Sequence, residues 1–106
     1  MTSKDKAQFR QTKKWKVFRQ KLKKDRKKDE LTGSPLQKLY NLHHLIETDR
    51  EEVYTDLSDE TKFLCLNPRS HEVVEFCFTH ALKDPEFMNR LDKIISEMLE
   101  LSTYNI

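Results

Sequence analysis

Apolar positions recur at helical spacing in some parts of this chain and in short continuous runs in others. Trp15, Phe18 and Leu22 stand at i, i+3 and i+7, one stripe of an α-helix whose remaining circumference is mostly lysine and arginine. The segment therefore predicts one basic helix pinned to a domain by its aromatic stripe. Leu31-Thr32-Gly33-Ser34-Pro35 then sets the only glycine beside a proline, a turn signal. From Leu36 to Ile46 the pattern reads as extended and ends in Leu42-His43-His44-Leu45-Ile46, although Leu36, Leu39, His43 and Ile46 also fit a helix. Residues 47–62 are polar and mostly acidic, with Val53, Tyr54 and Leu57 as apolar anchors, and predict a folded-over loop.

Phe63-Leu64-Cys65-Leu66 is a short apolar run that reads as a strand. Asn67-Pro68 follows it at once, an N-cap residue with proline in the first helical position. The helix opening there carries Val73, Val74, Phe76, Cys77, Phe78, Ala81 and Leu82 and is expected to be the central one. Asp84-Pro85 repeats the start signal. Phe87, Leu91, Ile94, Ile95, Met98 and Leu99 then predict a second amphipathic helix to about Leu101, with the last five residues fraying. The simplest expectation for that apolar face is that it covers the domain core. Pairing with a partner protein or with another copy is the alternative.

Composition narrows the class. At 106 residues, with 36% hydrophobic and 36% charged residues, the chain is expected to form a single domain with a small core. It lacks an apolar run long enough to span a membrane, and its first thirty residues are too charged for a signal peptide, so a cytoplasmic, membrane-free protein is expected. Cys65 and Cys77 lack CxxC spacing and read as reduced, buried thiols.

The net charge of +2 conceals its distribution. Residues 1–30 hold 13 Lys/Arg against 4 Asp/Glu, a balance of +9, which leaves 7 basic and 14 acidic residues, a balance of −7, in 31–106. A basic segment of this density can follow a phosphate backbone and release its counterions. Lys13, Lys14, Lys16, Arg19, Lys23, Lys24 and Arg69 are the expected DNA contacts. Intramolecular neutralisation of the acidic part, or plain solubility, would use the same charges.

Candidate chemistry sits in the remaining histidines. His71 and Glu75 are four apart, so on a helix they share one face and can hold one metal ion. His43-His44, ending an extended run that faces such a helix, could add one ligand and one general base. Adjacent residues on a regular strand point to opposite faces, so the pair must sit where the strand ends or bends. His80 is read as a surface or packing residue.

The order of these residues resembles the HNH endonuclease family, whose ββα-metal fold runs strand, loop, strand and helix. The resemblance spans about residues 13–82. It is carried by Lys14-Trp15-Lys16-Val17-Phe18-Arg19, which looks like the leading helix of phage-type members, by Leu42-His43-His44-Leu45, and by Phe63-Leu64-Cys65-Leu66-Asn67-Pro68-Arg69-Ser70-His71. It matches members without zinc-knuckle cysteines. The fold it implies is α+β, with a basic helical arm (1–30), a ββα core (31–83) and a C-terminal helix (84–106). His43, His71 and Glu75 match the metal ligands and His44 the general base. The family's middle Asn should fall near Thr61 or Lys62, and Asn67 is the nearest candidate for that catalytic role.

The resemblance implies hydrolysis or nicking of double-stranded DNA with one divalent ion, Mg²⁺ or Mn²⁺, while Zn²⁺ or Ni²⁺ also suits a two-His, one-Glu set. A phage or prophage setting in a host cytoplasm goes with it. The alternative is a catalytically inactive nucleic-acid-binding or regulatory module on the same scaffold, because neither Thr61 nor Lys62 is Asn and Glu75 stands where many members have a second His.

Overall fold

In the computed structural model, which describes residues 1–103, the chain is mixed helix and sheet. Its elements are α1 (Ser3–Phe9), α2 (Lys13–Arg26), β1 (Asn41–His44), a single turn α3 (Glu51–Tyr54), a 3-10 turn (Glu60–Lys62), β2 (Phe63–Leu66), α4 (Pro68–Lys83) and α5 (Phe87–Ser102). The α+β class expected from the pattern is the one observed. Packing divides the chain into two units, Met1–His71 and Glu72–Ile106, with the boundary inside the continuous helix α4.

The first unit is built on the stripe of α2. Thr12 caps that helix, accepting from the Trp15 N–H, and Trp15, Phe18 and Leu22 are all buried. They close over an antiparallel hairpin in which Asn41 pairs with Leu66, Leu42 with Cys65, His43 with Leu64, and His44 with Phe63. Side chains alternate along a strand, so Leu42, His44, Phe63 and Cys65 fall on one face of the hairpin and His43 and Leu64 on the other. The first face packs on α2, with the Phe63 ring 4.9 Å from that of Phe18 and 6.2 Å from that of Trp15. A two-stranded sheet is marginal by itself, and the aromatic stripe supplies the apolar cover it needs.

The basic arm contains two helices where one was expected. Arg10, Gln11 and Thr12 separate them, and Phe9 at the end of α1 packs against Trp15 and Tyr54. At its other end α2 stops on Lys27 in the left-handed conformation, φ 64°. The chain then turns through Gly33, whose φ of 77° suits a residue without Cβ, and Lys28 bridges Pro35. This is the turn predicted from Gly33 and Pro35.

Several expectations are corrected. The extended segment from Leu36 narrows to a strand at Asn41–His44, and residues 47–62 carry two short helical turns rather than loop alone. Tyr54 ends the first of these, buried against Phe9 and His44. Asn67 directly precedes α4, but its side chain does not cap the helix. Its Oδ1 accepts from the Gln37 N–H (2.8 Å) and its Nδ2 donates to the Pro35 carbonyl (3.1 Å), tying the preceding loop down. Helix α5 begins at Phe87, two residues after Pro85, because the Asp84 carboxylate and carbonyl first accept from the Glu86 and Phe87 N–H groups.

The second unit departs furthest from expectation. Helix α4 is not a central helix: Val73, Phe76, Phe78 and Leu82 are exposed, and Cys77, expected to be buried like Cys65, is only half-buried. Helical spacing marks one apolar face on α4 and one on α5 but does not set its burial, and the core cluster is made by residues of the first unit. No described residue of α5 is buried either, so its face does not cover a core. The fraying expected at the last five residues falls mostly on 104–106, outside the described residues.

Candidate metal centre

β1 and β2 are short, and α4 opens one residue after β2 ends, so the first turns of α4 return beside the hairpin. The His71 ring lies 5.3 Å from that of His43 at 65°. Glu75 follows His71 by one helical turn on the same helix face. The ligand atoms of His43, His71 and Glu75 all lie within 4.8 Å of one another, and all three residues are half-buried. That spacing and that donor set suit a single divalent ion: two imidazoles favour Mn²⁺, Zn²⁺ or Ni²⁺, and the carboxylate also serves Mg²⁺. The three residues could hold a metal, and they are three that the sequence singled out.

His44 is the last residue of β1 and turns to the opposite face from His43, so the strand does not bring the expected base onto the face that carries the three possible ligands. Its ring lies between two aromatic planes, stacked on Tyr54 (4.2 Å, 13°) and on Trp15 (5.6 Å, 4°), with Phe63 at 4.7 Å. Its Nε2 is 3.0 Å from the Tyr54 carbonyl oxygen. A carbonyl can only accept, so Nε2 carries the proton and, in the neutral ring, Nδ1 carries the lone pair. Nε2 makes the hydrogen bond of this ring. Burial pushes the imidazole below its ordinary pKa. The Tyr54 carbonyl draws it partly back, and the charges of His43, Lys6 and Arg10 press it down further.

Asn67 is buried and both ends of its amide are engaged by the 35–37 segment, so it acts as a clamp on that loop. Thr61, where the family pattern would put its Asn, is bound within its own turn, its N–H and hydroxyl both donating to Asp59 Oδ1.

The expected DNA contacts divide into two groups. Lys13, Lys14, Lys16, Lys24 and Arg69 are exposed. Arg19 and Lys23 are half-buried over the Tyr40 ring, at 3.9 and 5.4 Å, and Arg19 also donates to the Tyr40 carbonyl. Part of the arm's charge is neutralised internally: Lys6 pairs with Asp49, Lys21 with Glu60, and Arg26 with Glu30. His80, expected to be a surface or packing residue, is exposed and lies against Phe76 and Phe87.

Two residues that organise this region did not stand out in the sequence. Tyr54 read only as an apolar anchor, yet its backbone carbonyl sets the His44 tautomer and its hydroxyl accepts from Arg10. Asp29 is 1% exposed. One of its oxygens accepts from the Leu31 and Thr32 N–H groups and the Thr32 hydroxyl, and the other from the Asn67 N–H at 2.6 Å. The Ser70 hydroxyl bonds it as well, so the start of α4 is capped by a residue 38 positions upstream. Burial alone would raise this carboxyl's pKa, but these hydrogen bonds outweigh it and hold the group down at about 2. An acid two residues before a turn is an Asx-turn signal, and that could have marked Asp29.

Among the described residues no helix is long and apolar enough to cross a membrane. Comparison of the chain with protein-family models, with curated proteins and with solved structures returned no match.

Proposed function

We propose that this chain is a small metal-dependent endonuclease of the HNH type, acting on DNA. The observation that carries the reading is the convergence of His43, His71 and Glu75 on one ion-sized space, with a histidine of defined tautomer next to them in sequence. Strand, loop, strand and helix follow one another here in the order of the ββα-metal core.

In this reading His44 Nδ1 takes the proton from the attacking water, which requires the scissile phosphate to lie across the end of β1, because His44 and His43 point to opposite faces of that strand. The lowered pKa of His44 keeps the ring neutral, and so basic, at neutral pH. The Tyr54 carbonyl holds the Nε2 proton in place and stabilises the imidazolium once Nδ1 is protonated. Stacking between Trp15 and Tyr54 stops the ring from rotating away. His43, His71 and Glu75 would hold a divalent ion, which would supply positive charge for the scissile phosphate and the leaving oxygen. The exposed lysines of α2, with Arg69, hold the flanking phosphates by charge. Tyr54 takes on the steadying work for which the family uses its middle Asn.

The inactive DNA-binding module is the second reading, and one observation favours it: Asn67 is clamped elsewhere and Thr61 is tied to Asp59. Incubation of supercoiled plasmid with the protein and Mg²⁺ or Mn²⁺ separates the two. The endonuclease relaxes or linearises the plasmid, and His44→Ala abolishes this. Identical patterns from wild type and His44→Ala remove the catalytic assignment, and retarded but uncut plasmid supports the second reading.

A further inference from the structure

Helix α5 presents an apolar stripe with a regular spacing. Phe87, Leu91, Ile94, Met98 and Leu101 follow one another at intervals of four, three, four and three, the d-a-d-a-d pattern of a coiled-coil seam. Ile94, Met98 and Leu101 are 54%, 59% and 64% exposed. Phe87 and Leu91 are half-buried, the former against Phe76 and His80 at the end of α4. Most other positions, Asn89, Asp92, Lys93, Ser96, Glu100 and Ser102, are polar, so the helix is two-sided, with Leu99 at the margin. A 16-residue helix without a buried residue is marginal in water, and burying this stripe against another surface would stabilise it.

Charges flanking the stripe identify the cover. With the seam in that register, Arg90 and Glu97 occupy the g positions, and Met88 and Ile95 occupy the e positions. In an antiparallel pair of identical helices, g faces g and e faces e across the two-fold axis. When Leu91 of one copy meets Ile94 of the other, Phe87 meets Met98, Arg90 falls beside Glu97, and Met88 falls beside Ile95. Every contact then occurs twice, and the flanks are respectively oppositely charged and apolar. A parallel pair would instead set Arg90 against Ile95 and Glu97 against Ser102, without charge pairing. Arg90 now pairs with Asp84, an exposed contact of small energetic value that would give way to the flank of a seam.

We infer that a second copy of this chain covers α5, through an antiparallel two-helix seam centred between Leu91 and Ile94. The symmetry is closed, so the same surface serves both protomers and association stops at the dimer. The seam spans only about two heptads, so the dimer is expected to be weak, forming in the micromolar range.

Sedimentation equilibrium of the full chain, from micromolar to hundreds of micromolar, tests this. A reversible monomer–dimer equilibrium is expected, and a monomer throughout the range overturns the inference. Ile94→Glu places a charge in the seam and should leave only monomer. Because Ile94 is exposed, Trp15 fluorescence should be unchanged, and a dimer that persists in this variant overturns the assignment of the surface. Arg90→Glu sets like charges together twice and should weaken the dimer about tenfold or more, with Glu97→Arg added to it restoring the affinity. Failure of that rescue overturns the register. Orientation is read by oxidative cross-linking in a Cys77→Ser background. Met88→Cys mixed with Ile95→Cys should give covalent dimer that neither gives alone, and cross-linking of either variant alone overturns the antiparallel arrangement.

Discussion

The Nε2 atom of His44 lies 3.0 Å from the backbone carbonyl of Tyr54, ten residues further along the chain. That contact makes His44 an Nε2-protonated imidazole with its lone pair on Nδ1. Imidazole ¹⁵N shifts of the neutral protein should show this tautomer. The bond comes from the Tyr54 backbone, so Tyr54→Phe should keep the tautomer while losing the hydrogen bond from Arg10. That variant should be destabilised by about 1 kcal/mol in urea unfolding. A shift to the Nδ1-protonated tautomer in the wild type would contradict the geometry.

His71 and Glu75 share one face of α4, and His43 meets them from β1. Removing one donor of three should weaken divalent binding at least as much as loss of an outer-shell partner does, about 10–100-fold. Titration calorimetry of His71→Ala against wild type with Mn²⁺ measures this. Equal affinities would mean that the ion binds elsewhere. His80→Ala, a change on the exposed surface, should leave the affinity unaltered.

DNA affinity should depend steeply on salt. With roughly five phosphates engaged, the log–log slope is expected to be about −4 to −5. Removing the exposed Lys13, Lys14 and Lys16 together should flatten it by about 2 to 3 units. Arg19→Ala should act differently, because its guanidinium lies over Tyr40 and bonds the Tyr40 carbonyl. It should lower stability by about 1–3 kcal/mol, measured by denaturant unfolding.

Asp29 predicts a loss of stability in acid. Its pKa of about 2 in the folded protein lies below the ordinary carboxylate value of 3.8, so the folded state binds its proton less readily than the unfolded chain. Its contribution is complete above pH 3.8 and is lost as pH falls toward 2. Asp29→Asn keeps the shape but removes the charge and one acceptor, and should cost about 3 kcal/mol at neutral pH. The variant should also show a smaller loss of stability between pH 4 and pH 2 than wild type. An identical acid profile would show that Asp29 is not the group responsible.

Periodicity marked the stripe Trp15, Phe18 and Leu22 and the apolar faces of the two later helices, a short apolar run marked the strand Phe63–Leu66, and the Asn67-Pro68 and Asp84-Pro85 pairs marked the helix starts, because each signal depends on a few neighbouring residues. The pairing of His71 with Glu75 was legible for the same reason: a helix places residues four apart on one face whatever surrounds it. The approach of His43 was readable only as a suggestion of order, since a strand and a helix nearly thirty residues apart meet through tertiary folding.

Tertiary structure decided what local spacing does not encode. Asp29 reaches the start of α4 across 38 positions, and the Asn67 side chain turns to Pro35 and Gln37 instead of capping its own helix. Tyr54 stacks on His44 and packs against Phe9, residues ten and forty-five positions before it. Apolar content likewise marks a residue as able to be buried, but burial depends on which elements reach the hairpin. Helix α2 covers the apolar face of the hairpin, whereas the apolar residues of α4 and α5 are largely exposed. The sequence by itself therefore determined which residues can share a face, and the tertiary structure alone decided which faces meet, because contacts between distant segments depend on shape and competition for one small core.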